Sequence, residues 1–124
     1  MHLIAALLFA TIQITAPVWK DAPPTMPKGT KIAAMEGDIR NPGIFTIRLT
    51  VPAGAKLATH THPRPERVTV LSGKVRVTID GKTKTFERGG FYVNPPGVPH
   101  SVSFAKESVL QLTCEGPWEV VYVD

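Results

Sequence analysis

Two histidines lie two residues apart in the middle of the sequence, at His60 and His62, and they set the strongest limit on its fold. Along an extended strand successive side chains point to opposite faces, so the two imidazoles project from one face about 7 Å apart. The stiff segment 63–65 (Pro-Arg-Pro) follows, and Glu66 comes at an even spacing from His62. Its carboxylate can therefore return to the same volume. Two imidazoles and a carboxylate suit divalent Mn, Fe, Co, Ni, Cu or Zn and bind Ca or Mg poorly.

A second segment, residues 89–100 (GGFYVNPPGVPH), ends in a third histidine, His100. Its proline-dense turn should hold that imidazole in one orientation. The chain has four histidines, and the fourth is His2 in an apolar N-terminal stretch. The other three all fall in these two segments.

The spacing within the two segments resembles a known family signature. Residues 54–73 follow G-x5-H-x-H-x3-E-x6-G, and residues 89–100 follow G-x5-P-x-G-x2-H. Together they resemble the two motifs of the cupin superfamily. The resemblance implies an all-β fold, a double-stranded antiparallel β-helix (jelly-roll) barrel. It also implies that one divalent transition metal (Fe, Mn, Zn, Ni or Cu) is held by four ligands: His60, His62, Glu66 and His100.

The rest of the chain agrees with a barrel of short strands. Residues 45–51 alternate strictly between apolar and polar, as expected of a half-buried strand. Asp80-Gly81 is a strong hairpin signal, because a two-residue turn of the primed type needs positive φ at both central positions. The sequence also predicts strands over residues 31–35, 66–72, 74–79, 82–86, 100–104, 109–114 and 118–123. No ten-residue stretch after the leader has helical periodicity.

Length and charge limit the classes of function. A chain of 124 residues is long enough for one core and too short for two ordinary ones. Its net charge of +4 comes from 14 Lys and Arg that are scattered singly. Because nucleic-acid binding normally uses a concentrated basic patch, no nucleic-acid partner is expected.

The chain divides into three segments. Residues 1–16 are predicted to be a signal peptide, since their apolar run is too short to span a bilayer. Export to the periplasm or secretion is expected, without a stable membrane anchor. A retained N-terminal strand or a wrongly chosen start codon, with a cytoplasmic protein, is the alternative. Residues 17–29 form a proline-rich arm, and residues 30–124 form the cupin barrel.

The arm and the exposed strand near Lys31 could cross to a second copy, so a homodimer is predicted. A monomeric mass in solution at micromolar concentration would contradict it. The chain's ending, residues 115–123, resembles small single-domain bacterial cupins of the cupin-2 type, which include cupin domains of anti-sigma factors. That resemblance supports the fold and the metal, and says little about the reaction.

Several other side chains bear on the site. Phe104 shares the inward face of His100 and should make the metal cavity less polar. Arg64 and Arg67 flank the ligands, either as solvated residues at the barrel mouth or as contacts for an anionic substrate. Tyr92 and Asn94 could support the ligands or simply pack. Cys114 can form no internal disulfide, because it is the chain's single cysteine, and a small buried side chain is its expected role.

Three functions fit such a site. Four ligands on a metal that accepts five or six leave open positions, which favours an enzyme. The first hypothesis is a dioxygenase-type oxidoreductase acting on a small molecule, with Glu66 as ligand and catalytic proton acceptor. The second is a Lewis-acid isomerase or decarboxylase, for which Tyr92 or Lys56 would supply the acid or base. The third is a non-catalytic module that binds or senses a metal or small ligand.

Overall fold

The computed structural model describes residue 12 and residues 15–123. The predicted leader over residues 1–16, with His2, lies almost wholly outside this range. Among the described residues no helix is long and apolar enough to cross a membrane. Their regular structure consists of strands: β1 (Lys20–Asp21), β2 (Lys31–Glu36), β3 (Gly43–Val51), β4 (Lys56–Thr61), β5 (Glu66–Ser72), β6 (Lys74–Ile79), β7 (Lys82–Glu87), β8 (Phe91–Asn94), β9 (His100–Phe104), β10 (Ser108–Gly116) and β11 (Val121–Tyr122).

The strands form two antiparallel sheets that face each other. One sheet has the order β1-β2-β3-β10-β5-β8, and the other has the order β11-β4-β9-β6-β7. Apart from the consecutive pairs β1-β2, β2-β3 and β6-β7, sheet neighbours are distant in sequence, because the chain alternates between the two sheets from β3 to β6 and from β7 to β11, as in a jelly roll. The predicted all-β jelly-roll barrel is therefore confirmed.

The core lies between the sheets and is built by alternation along the strands. In β3 the side chains of Phe45, Ile47, Leu49 and Val51 are all at most 1% exposed, which confirms the predicted half-buried strand. Apolar residues of β5 and β10 in the same sheet, and of β4, β6 and β9 in the facing sheet, complete the cluster. This packed core supports the candidate metal ligands His60, His62, Glu66 and His100.

The hairpin prediction is also confirmed. Asp80 and Gly81 connect β6 to β7 with φ values of 51° and 72°. Because this turn closes without a bulge, Val75, Val77 and Ile79 stand opposite Phe86, Lys84 and Lys82 in register. Directly opposed residues share a face of the sheet, so all six side chains belong to the inward face of that hairpin.

One strand is missing from the predictions, and another is shorter than predicted. No strand is predicted over residues 91–94, but they form β8, whose pattern is disguised because Phe91 and Val93 are exposed while Asn94 is buried. The final strand is shorter than the predicted 118–123, since β11 covers only Val121–Tyr122. The backbone N–H of Trp118 instead donates to the carbonyl of Ile39.

The proline-rich arm lies against its own barrel. Its strand β1 pairs with β2, and the Ala22 N–H donates to the Thr30 carbonyl. Met26 is buried, 9% exposed, and packs into the core cluster. The Tyr122 hydroxyl, from the chain's other end, donates to the Thr25 carbonyl. The arm and the C-terminal segment therefore meet over one end of the barrel.

Candidate metal centre

Three imidazoles converge at one end of the barrel. The ring centroids of His60 and His100 lie 4.3 Å apart, and those of His62 lie 5.0 and 5.1 Å from the other two. One nitrogen from each ring can be chosen so that all three lie within 4.8 Å of one another. The rings are 1–3% exposed. Such a cluster could hold a metal ion.

Each of the three rings is oriented by a backbone carbonyl. The Nδ1 atom of His60 lies 2.7 Å from the Ala58 oxygen, and that of His100 lies 3.0 Å from the Val98 oxygen. The Nδ1 atom of His62 lies 2.8 Å from the Glu119 oxygen. A carbonyl can only accept, so Nδ1 carries the proton and each Nε2 keeps its lone pair. All three imidazoles therefore present an unprotonated nitrogen to the centre.

A bulge in β4 puts His60 on the inner face. Leu57 stands opposite Val102, and His60 stands opposite His100. Between these two pairs β4 therefore contains one residue more than β9. Simple alternation from the buried Leu57 would turn His60 outward. A β-bulge re-aims the side chains that follow it, and here it brings His60 and, two residues on, His62 inward.

Burial favours the uncharged form of two of the imidazoles, those of His60 and His100. It lowers the pKa of His60 from 6.5 to about 4, and the positive charges that His100 and His62 would carry add to this effect. Burial likewise lowers the pKa of His100. A neutral imidazole is the form that coordinates metals. These histidines are therefore ready to act as ligands at neutral pH.

Glu66, the fourth sequence-predicted ligand, stands beside the histidines at the start of β5. Its Oε2 atom lies 3.3 Å from the Nε2 atom of His62, and its side chain is 8% exposed. Both oxygens accept hydrogen bonds, Oε1 from the Asn94 amide at 2.9 Å and Oε2 from the Trp118 indole at 3.0 Å. The carboxylate is thus held in a fixed orientation next to the three-histidine group.

The donor set fits a divalent transition metal. Nε2 of His62 and Nε2 of His100 are buried and have no hydrogen-bond partner among the described residues. With Nδ1 protonated, Nε2 of His62 and Oε2 of Glu66 are two electron-pair donors 3.3 Å apart. Two such atoms repel each other unless a cation lies between them. Three imidazole nitrogens and one carboxylate oxygen suit Mn, Fe, Co, Ni, Cu or Zn.

Two residues donate hydrogen bonds to Glu66, and the sequence indicates only one of them. Asn94 is one of the two candidates that the sequence offers to support the ligands, and its amide donates to Glu66. The contact of Trp118 with Glu66 is not predicted, because the sequence places Trp118 in a strand. A signal existed, because a buried indole N–H nearly always finds an acceptor, but nothing in the sequence indicated which acceptor.

The cavity next to the histidines, which we call the metal-side cavity, is small and apolar. Its volume is about 30 Å³, enough for water-sized molecules and far below the range of about 300–1,000 Å³ that is typical of ligand pockets. Phe104 lines it, as predicted. The other lining residues are Met26, Leu49, Leu57, His60, His62, Glu66, Val68, Val102, Leu110, Leu112, Trp118 and Val120.

The remaining candidates lie apart from the metal-side cavity. Arg64 donates to the Pro117 carbonyl at 2.9 Å and so ties the motif loop to the C-terminal segment. Arg67 is exposed on β5, in register with Val93. Burial raises the pKa of Cys114 to about 12, in agreement with a buried, unreactive side chain.

Comparison with known families agrees with this geometry. The family model described as the cupin domain matches residues 47–114, more than half of the chain. The protein therefore belongs to the cupin domain family. No curated protein matches the chain.

Many solved structures share the fold. An RmlC-like cupin from Shewanella frigidimarina is 20% identical with a TM-score of 0.66, over 80% of this chain and 83% of its own. The polyketide cyclase RemF from Streptomyces resistomycificus is 15% identical with a TM-score of 0.75, over 94% and 86%. A salicylate 1,2-dioxygenase variant from Pseudoaminobacter salicylatoxidans is 23% identical with a TM-score of 0.62, over 72% and 27%. At these identities the likeness concerns the fold alone.

Proposed function

We propose that the protein binds one divalent transition metal through His60, His62, His100 and Glu66 and uses it to oxidise a small molecule with dioxygen. The observation that carries the proposal is that Nε2 of His62 and Nε2 of His100 are buried without partners among the described residues, beside the ring of His60, while the Nδ1 atom of each of the three rings faces a carbonyl. Buried acceptors without partners are costly. A metal ion would satisfy all of them at once.

The carboxylate gives the centre its fourth donor and lowers its charge. A divalent ion with one carboxylate leaves the site about +1, which favours a substrate that binds as an anion. Asn94 and Trp118 hold Glu66 so that one oxygen stays turned toward His62. In such a centre a redox-active metal would supply electron transfer to dioxygen, and Glu66 would accept a proton from the substrate.

The cavity sets a limit on the substrate. Its volume of about 30 Å³ and its apolar lining, which includes Phe104, admit only a molecule of about the size of water. The Tyr122 ring, 5.7 Å from that of His60, lies over the outer side of the cluster. A larger substrate would require the arm and the C-terminal segment to separate at the contact between Tyr122 and Thr25.

Oxygen consumption tests this proposal. The protein would be loaded anaerobically with Fe, Mn, Ni or Cu, exposed to air, and supplied with enolic, phenolic or thiol substrates. We expect uptake with at least one pair of metal and substrate, its loss in His100→Ala, and its retention in Arg48→Ala. Arg48 is a suitable control because it bonds Gln111 on the outer face, away from the cluster. If no pair consumes oxygen, the proposed reaction is wrong.

A non-catalytic metal-binding module is the second candidate, and the burial of the site favours it. The three imidazoles are at most 3% exposed, and the adjoining cavity holds only about 30 Å³. If the isolated protein contained tightly bound zinc and turned over none of the candidate substrates, this function would be favoured over the dioxygenase-type reaction. The Lewis-acid alternative has less support, because Lys56 is exposed among outer-face residues rather than near the histidines.

A further inference from the structure

A second, larger pocket opens at the side of the barrel, between the edge strands β7 and β8. Its volume is about 380 Å³, within the range typical of small-molecule sites. None of its lining residues also lines the metal-side cavity. We call it the seam pocket; it is lined by Val77, Ile79, Asp80, Lys82, Lys84, Phe86, Tyr92 and Val93.

The seam pocket has an apolar base. Phe86 of β7 and Tyr92 of β8 bring their ring centroids to 4.6 Å across the gap between the two sheets. Val77 is buried, and Ile79 is half-buried on the same inward face. Aromatic and branched aliphatic side chains of this kind bind the apolar part of a ligand.

Two lysines lie over this apolar base. Lys84 is opposite Val77 and Lys82 is opposite Ile79, so both side chains belong to the inward face of the hairpin although both are exposed. Neither takes part in an ion pair among the described residues. With Asp80 also at the rim, the pocket keeps a net charge of about +1 at neutral pH.

Inward-pointing charges on an edge strand have a simpler explanation, since they discourage pairing with another chain. That explanation accounts for charge but not for a pocket with a paired aromatic base. It predicts that removing the lysines causes self-association and leaves small-molecule binding unchanged. The two explanations therefore give different results in one experiment.

We propose that the seam pocket binds a small amphipathic anion, with its carboxylate between Lys82 and Lys84 and its apolar part against Phe86 and Tyr92. The charges are complementary, because two ammonium groups outnumber the single carboxylate of Asp80 at the rim and the base carries no charge. Lys82, Lys84 and Phe86 occupy successive positions on one face of β7, and Phe86 packs against Tyr92, an order that suits one anionic group followed by a short chain or a ring. This site is separate from the proposed metal-dependent reaction and does not depend on it.

Octanoate and the uncharged 1-octanol are suitable probes. Each would be titrated into the zinc-loaded full chain while amide resonances are followed by NMR. We expect octanoate to shift the resonances of Ile79 and Tyr92 and to leave those of Phe104 unchanged. The double variant Lys82→Gln/Lys84→Gln should weaken octanoate binding at least about threefold, the scale of two exposed charge contacts, and should not change octanol binding.

The double variant Lys56→Gln/Arg76→Gln is the matched control. It removes the same charge from the outer face of the same sheet, so it should leave octanoate binding unchanged. If octanoate affinity fell equally in both double variants, the effect would come from the overall charge of the protein, and the proposal would be overturned. Shifts confined to the metal-side cavity, no binding at all, or self-association of Lys82→Gln/Lys84→Gln with unchanged octanoate affinity would also overturn it.

Discussion

Replacing His100 by alanine should abolish most of the stabilisation that zinc gives to the fold. A ligand that binds only the folded state adds RT ln(1 + [L]/Kd) to the free energy of unfolding. With free zinc at about 100 times the dissociation constant of the unmodified chain, that term is about 2.7 kcal/mol. For a domain of this size, 1 kcal/mol moves the melting temperature by about 4 °C. Zinc should therefore raise it by about 10 °C.

The variant should lose nearly all of this increase. Changing a residue that only orients a ligand typically lowers metal affinity about 10- to 100-fold. His100 is 1% exposed and presents its own Nε2 to the centre, so its removal should cost at least about 100-fold. Free zinc then roughly equals the dissociation constant, and the residual term is about 0.4 kcal/mol. The increase in melting temperature should fall to about 2 °C.

Thermal unfolding followed by circular dichroism, with and without zinc, measures both increases. Each variant is compared with its own metal-free sample, so any loss of packing in His100→Ala cancels. Arg48→Ala is the control, since its guanidinium bonds Gln111 outside the barrel. It should keep the full increase. A full increase in His100→Ala, or an equal loss in Arg48→Ala, would refute the ligand assignment.

Three further predictions concern the support of the site and of the fold. Trp118→Phe removes the indole donor to Glu66 but keeps most of the ring, so zinc affinity in a competition titration should fall about 10- to 100-fold; unchanged affinity would mean that this hydrogen bond does not support the centre. In the metal-free protein the pKa of His60 is lowered from 6.5 to about 4. The unfolded chain therefore binds a proton at a higher pH than the folded chain, and the free energy of unfolding in urea should fall by about 3 kcal/mol between pH 6.5 and 4. A flat profile over that range would contradict the burial argument. Gly73→Ala should cost more than about 2 kcal/mol, because φ is +94° and the new Cβ would lie 2.2 Å from a hydroxyl oxygen of β10. Gly54→Ala has a similar φ of +82° but open space, so it should cost clearly less, and equal costs would show that the close contact is relieved.

Local patterns predicted a barrel of short strands, whereas the jelly-roll arrangement and the meeting of His100 with His60 and His62 were expected from the resemblance to the cupin motifs. Alternation in β3 and the Asp80-Gly81 turn are set by neighbouring residues. The orientation of His60 was predicted for an incomplete reason. Alternation explains why His60 and His62 share a face, but the face itself is chosen by the bulge after Leu57, which depends on pairing with β9.

The parts that could not be predicted depend on contacts between distant segments. Trp118 reaches Glu66 across 52 residues of sequence, and Tyr122 reaches Thr25 across 97. Nothing local in either segment specifies these partners. Strand β8 was missed for a related reason: the residue buried at its end, Asn94, is polar, and it is buried because it donates to Glu66. The chemistry of the centre thus changed the pattern from which strands are predicted.

The most direct test of the metal centre is an anomalous-difference map from crystals of the zinc-loaded protein. We expect one strong peak about 2.0–2.1 Å from the Nε2 atoms of His60, His62 and His100, with a Glu66 oxygen within about 2.2 Å. A peak on the Nδ1 side of any of these rings, or at a site that the three imidazoles do not share, would contradict this expectation.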